Sequence, residues 1–196
     1  MGRIGQSPLG HAIRGPPRRT TPRRAKCLRS SPATSKARTL SLMSVLFTGL
    51  TVVLAWVFAL LGWSAVGGVP DDTFSDTAMR WMLFLPGGIM FLVSFVMHTF
   101  LARRTAAQIG WQTNGFQYEI GFVSLGLGVA GIVAANMTQT AWWPIAIAQS
   151  IFLVLAAGYH VLEMRRSRNF SPGNTLILIY DLGLPISYLA LWLSLG

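Results

Sequence analysis

Four ionisable residues stand inside or at the edge of long apolar stretches: Glu119, His160, Glu163 and Asp181. A charge at the centre of a bilayer costs at least ~2.5–3.5 kcal/mol, so such residues are kept for a reason. Their spacing is helical. Gln149, Leu153, Ala156, His160 and Glu163 recur at intervals of four and three, and Asn174, Asp181 and Tyr188 recur at seven, each set sharing one helix face. Pro185 has no N–H for the carbonyl of Asp181, which leaves a bare carbonyl beside a carboxyl group. That pairing suits a proton or a cation, and His160 adds a ring that titrates near neutrality. The candidate binding residues are therefore Glu119, His160, Glu163, Asn174 and Asp181, with no catalytic constellation and no dedicated metal set among them. Simpler duties compete. Glu119 fits the first turns of a helix, Glu163 fits an ion pair with Arg165 or Arg166, Asn174 fits a helix cap, and the histidines His98 and His160 fit packing.

These residues need membrane helices to hold them. Of 196 residues, 52% are apolar and only 11% are charged, against about a quarter in ordinary soluble domains. No formal charge occurs between Arg38 and Asp71, between Arg80 and Arg103, or between Glu119 and Glu163. About 20 apolar residues cross a bilayer core. The expected architecture is all-α: a polytopic transmembrane bundle of five spans, about 44–65, 81–102, 116–135, 143–164 and 174–195. The polar cluster Asn136–Thr140, with Trp142, Trp143 and Pro144 after it, divides the longest run and starts the fourth span.

The formal charge of +10 belongs to one end of the chain. Residues 1–42 contain ten of the sixteen basic residues and no acid, whereas residues 43–196 contain six Arg and six acids. The division expected is a disordered, Arg-rich tail at 1–42 and an integral membrane domain at 43–196. Three origins fit the tail: an upstream stretch added ahead of a start at Met43, a polybasic arm on anionic lipid, or an organellar presequence. Five of the six body arginines (103, 104, 165, 166 and 168) follow the second and fourth spans, which makes those connections cytoplasmic. The amino end is then cytoplasmic, Gly196 is outside, and the four ionisable residues fall in the cytoplasmic leaflet. Cys27 is the single cysteine, so paired-thiol chemistry and cysteine zinc sites are excluded. The bilayer is the expected partner, a homo-oligomer stays open, and the localised tail charge removes the case for nucleic acid.

Gly121, Ser124, Gly128, Gly131 and Ala135 form a narrow small-residue stripe, which reads as the packing centre of the bundle. Phe116-Gln-Tyr-Glu119, His160-Val-Leu-Glu163, and Gly173-Asn174 followed by Tyr180-Asp181 make up a further pattern. In these motifs, over about residues 80–190, the chain resembles a family of small multispanning prokaryotic membrane proteins of unknown function. The resemblance implies a plasma-membrane location and groups Glu119, His160, Glu163, Asn174 and Asp181 in one pattern; it implies no activity.

The reading placed first is a plasma-membrane protein with a cytoplasmic-leaflet polar pocket that binds or transports a proton, a cation or a small polar solute. A second is a structural or accessory subunit braced by its polar network. A third is a redox or metal enzyme with His98 and His160 as ligands of haem or a divalent ion, although His-x-x-Glu reverses the order that di-iron bundles use.

Overall fold

The computed structural model describes residues 32–195. Every regular element in that range is helical: α1 (Pro32–Leu60), α2 (Phe74–Phe84), a π-helical segment (Leu85–Ile89), α3 (Met90–Thr99), α4 (Ala102–Ile109), α5 (Phe116–Ala135), α6 (Gln139–Ser167), α7 (Pro172–Thr175) and α8 (Ile177–Leu195). Four stretches are long and apolar enough to cross a membrane: Phe74–Thr99, Phe116–Ala135, Gln139–Ser167 and Pro172–Leu195. That is the make-up of a multi-pass membrane protein. The first expected span differs. Its apolar helical part is Val45–Leu60, shorter than the other four and than the run 44–65 read from composition.

Local chemistry ends that helix early. Gly62 takes a φ of +68°, its N–H reaches the carbonyl of Ala59, and the N–H of Trp63 reaches that of Phe58. This is the Schellman closure, completed by the Trp63 ring stacking on Phe58 at 5.0 Å. Trp63 thus turns back along the helix instead of extending it. At the other side, α1 begins at Pro32, so residues 32–42 are helical where composition assigned them to a disordered tail. The expectation for residues 1–31 lies outside the described residues.

The second span starts earlier than expected. Thr73 and Asp76 form a capping box that launches α2 at Phe74, and the span ends at Thr99 rather than Ala102. The fourth is also longer, starting at Gln139 with Pro144 inside it and ending beyond Met164 at Ser167. The third matches its expected bounds, and the fifth adds a short turn at Pro172. A further amphipathic helix, α4, occupies a connection read as loop and is closed by Gly110 at φ +77°.

The small-residue stripe of α5 lies against the second span. A β-carbon on Gly131 would stand 2.5 Å from the carbonyl oxygen of Gly87, and one on Gly128 would stand 3.0 Å from that of Gly88. Ser124 and Ser94 share a hydrogen bond at 3.1 Å. Gly121 meets Thr99, so α5 runs antiparallel to the second span over its length. The core between the helices holds Met79, Met82, Leu83, Trp142, Leu184 and Leu191. Many of the remaining apolar side chains, such as Phe122, Leu155, Ile186 and Leu193, face outward, as suits a surface solvated by lipid.

Candidate functional site

Alternation of the spans gives the bundle two ends. One carries Thr99, Phe116, Ser167 and Pro172 and is called here the His98 end; the other carries Arg80, Ala135 and Gln139. Polar side chains gather at three levels between them.

At the Arg80 end, Arg80 is buried. Its Nε donates to Asp72 at 2.8 Å, its Nη1 donates to the carbonyls of Ala135 and Met137, and its guanidinium lies 4.9 Å from the Trp142 ring centre. The span expected at about 81–102 left Arg80 in the connection before it. The structure makes it the tie between the 61–73 connection, α2 and the α5–α6 turn. All three guanidinium nitrogens donate, so this is a brace.

At mid-level, the π-helical turn of the second span frees backbone carbonyls. Pro86 has no N–H for Met82, and the N–H of Met90 reaches back five residues to Leu85. Carbonyls freed away from water need partners from other helices. Tyr180 donates to Pro86 at 2.7 Å, Gln149 donates to Gly87 at 2.6 Å and Leu127 at 3.1 Å, and Tyr188 reaches Met82 at 3.4 Å. Tyr188 also donates to Gln149 Oε1 at 2.6 Å. Gln149 is wholly buried. This network ties the second, third, fourth and fifth spans together, and it too is satisfied.

The His98 end is different. Asn174, wholly buried, donates through Nδ2 to the Asn169 carbonyl at 2.9 Å, which turns its Oδ1 toward His160 Nδ1 at 2.6 Å. An amide oxygen only accepts, so Nδ1 carries the proton, and in the neutral ring Nε2 is left with its lone pair. Trp111 stacks on the His160 ring with centres 5.3 Å apart and planes 24° apart. His98 stands within electrostatic reach of His160. The connection bearing Trp111 is clamped from the opposite loop: Asn169 Nδ2 and Ser171 Oγ both donate to the Ile109 carbonyl, at 2.6 Å and 3.2 Å. Gln117 donates to Ala102 and Thr105 to Met97, fixing α4 beneath.

Three buried side-chain polar atoms have no hydrogen-bond partner among the described residues: His98 Nδ1, Trp111 Nε1 and Asp181 Oδ2. All three belong to the His98 half of the bundle. Asp181 is buried on the face of α8 that carries Leu184, Tyr188 and Leu191, seven residues beyond Asn174. At 1.5 Å per residue that is about 10 Å deeper.

Of the five candidate residues, His160 and Asn174 are brought into direct contact, and Asp181 is buried in the same half. Glu119 and Glu163 are not joined to them. Glu119 is exposed on α5. Glu163, half-buried, accepts from Ser167 at 2.5 Å, in place of the ion pair with Arg165 or Arg166. Trp111 and Asn169, which carried no role in the sequence reading, supply the cover and the clamp of His160. Among the described residues, no three His, Cys, Asp or Glu side chains gather as a metal site requires.

A family model matches residues 44–195, the apolar body without the basic tail; its description is a family of unknown function (DUF6790). The chain belongs to DUF6790. No curated protein and no solved structure matches it significantly. Membership therefore agrees with the resemblance to a family of unknown function and reaches further toward the amino end, without supplying a ligand, a reaction or support for the individual motifs.

Proposed function

We propose that this DUF6790 protein is a five-span plasma-membrane bundle, amino end in the cytoplasm, that binds a proton, a cation or a small polar solute at its His98 end. The observation that carries this reading is that the three unpartnered buried polar atoms, on His98, Trp111 and Asp181, all fall in the half of the bundle that holds the His160–Asn174 pair. Buried polar groups are ordinarily paired, and a group left unpaired calls for a water, an ion or a ligand. The chemistry on offer is mixed: an indole N–H that only donates, an imidazole Nε2, a second imidazole and a carboxyl group. Asp181 is the deepest protonatable group, His160 is the titratable ring nearer the end of the bundle, and Glu119, exposed, and Glu163, half-buried, are carboxyl groups at the same helix ends that a cation meets first. The first span in this reading is Val45–Leu60 extended by the helical residues before it.

The test is proton flux into liposomes carrying the purified full chain, followed with an entrapped pH-sensitive dye, for wild type, Asp181→Asn and His160→Gln. Loss of flux in both variants, with unchanged thermal unfolding, is the expected result. Equal flux in wild type and Asp181→Asn defeats the transport version. The accessory-subunit reading draws on the satisfied Gln149 network instead, and predicts that both replacements lower the unfolding temperature with no flux to lose.

A further inference from the structure

Outside the buried His160 site, a cleft of about 430 Å³ opens at the same end, where the second span passes into α4 and α5 begins; it is lined by Thr99, Phe100, Leu101, Arg103, Arg104 and Tyr118. We propose that this cleft binds the headgroup of an anionic phospholipid. Both arginines are exposed, and neither makes an ion pair or hydrogen bond among the described residues. Glu119 follows Tyr118 but does not line the cleft. Two unspent guanidinium groups on consecutive residues, with a tyrosine lining the same cleft, match the phosphodiester of a lipid, because guanidinium binds phosphate oxygens in a fork.

Position selects the lipid over a free anion. The cleft lies where two membrane-length helices end, Phe74–Thr99 and Phe116–Ala135, which is the level of the headgroups. Its rim is apolar and open: Phe100 is 76% exposed, and Val96 and Phe122, on the spans that lead away from it, are exposed as well. One lobe is thus cationic and the next is a surface for acyl chains, the two-part character of an amphiphile. Basic clefts between membrane helices on one side of a bilayer are known to take acidic headgroups. The inference does not depend on the buried site or on transport.

The experiment is native mass spectrometry of the full chain released from equimolar phosphatidylglycerol and phosphatidylcholine nanodiscs. Wild type is expected to retain phosphatidylglycerol in preference. Arg103→Gln/Arg104→Gln is expected to lose that preference by about thirtyfold, from two basic residues at a membrane surface. Arg165→Gln/Arg166→Gln, which removes the same charge outside the cleft, is expected to keep it. Equal retention of both lipids by wild type overturns the proposal, as does an equal loss in the two double variants, which would mean diffuse attraction only. Displacement of the lipid by excess inorganic phosphate overturns the lipid assignment in favour of a free-anion site; no displacement supports it.

Discussion

Replacing Gly131 by Ala adds one methyl group at the closest approach of two helices, and the structure gives the cost. The new carbon would sit 2.5 Å from the Gly87 carbonyl oxygen, 2.8 Å from its carbon and 2.9 Å from Gln149 Nε2. Non-bonded contacts are comfortable near 3.5 Å, so α5 and the π-helical turn must part by about 1 Å. Both sides are backbone and neither can rotate away. Overpacking of this kind costs about 1–3 kcal/mol. The same movement stretches the Gln149 hydrogen bond to Gly87, and a membrane hydrogen bond adds about 0.6 kcal/mol, at most about 1.7. The sum, about 2–4 kcal/mol, lowers the unfolding midpoint by roughly 5–15 °C for a chain of this size. Gly126→Ala is the control, on the same helix with nothing within 4 Å of the added carbon. Thermal unfolding in one detergent, followed by circular dichroism, is the assay. Gly121→Ala should fall between the two, because its obstacle is the methyl group of Thr99. If Gly131→Ala and Gly126→Ala unfold at the same temperature, the stripe is not a helix contact and the packing argument is wrong.

Three further outcomes follow from the same geometry. Arg80→Met leaves Asp72 without its cation and should cost about 3–5 kcal/mol, while high salt leaves wild type unaffected because the side chains of Arg80 and Asp72 are only 7% and 9% exposed; a variant as stable as wild type would mean the tie is decorative. Gln149→Leu should lose about 2 kcal/mol through its three hydrogen bonds, and Tyr188→Phe less. The two changes should be non-additive in a double-mutant cycle, and strict additivity would separate them. For orientation, cysteines placed at Gln112 and Met137 in a Cys27→Ser background report the two ends; a membrane-impermeant maleimide should label position 137 in intact cells and position 112 only after lysis, and the reverse pattern inverts the topology.

The third span was legible to the residue because its periodic face, its small-residue stripe and the polar residue Asn136 that follows it all agree. The end of the first was not, because Trp63 and Ala65 look like more span to an apolar count, while a left-handed Gly62 and a ring stacked on Phe58 decide the matter. Arg80 was set outside its span by the general cost of charge in lipid. That cost is removed by Asp72, two carbonyls and Trp142, three of which come from distant sequence. The mid-level network was illegible for a related reason: Pro86 announces a freed carbonyl, but nothing near it names Tyr180 or Gln149 as the donor. Glu119 stands apart from the residues it was grouped with. The stripe extends back by four from Gly121 to Gln117, which is buried, and Glu119 lies two residues on, roughly 200° round the helix from Gln117. Its own neighbours in sequence already pointed it outward.

What separates the His98 end from the rest of the bundle is the contrast in satisfaction, more than the presence of polar residues. Arg80, Gln149, Tyr180 and Tyr188 are buried in the same low-dielectric interior, and each has partners within hydrogen-bonding distance. The chain therefore meets the requirement that lipid imposes wherever rigidity is the only demand. A fully paired network is hard to disturb, since breaking any member exposes the others to the same cost. A binding site faces the opposite requirement, because it must keep groups available for a ligand that comes and goes. His98, Trp111 and Asp181 retain an unpartnered atom in one half of the bundle, the half that also holds a histidine whose proton position is fixed by Asn174. Replacing each of the three with an apolar residue of similar size should then be neutral or stabilising, since unpaired polarity is removed. The same replacement at Gln149 should destabilise the bundle, by roughly 2 kcal/mol. That inversion in sign, measured as thermal unfolding of His98→Leu and Asp181→Leu against Gln149→Leu, distinguishes a site from a brace without any knowledge of the ligand. Destabilisation of similar size at all three positions would assign the His98 end to bracing.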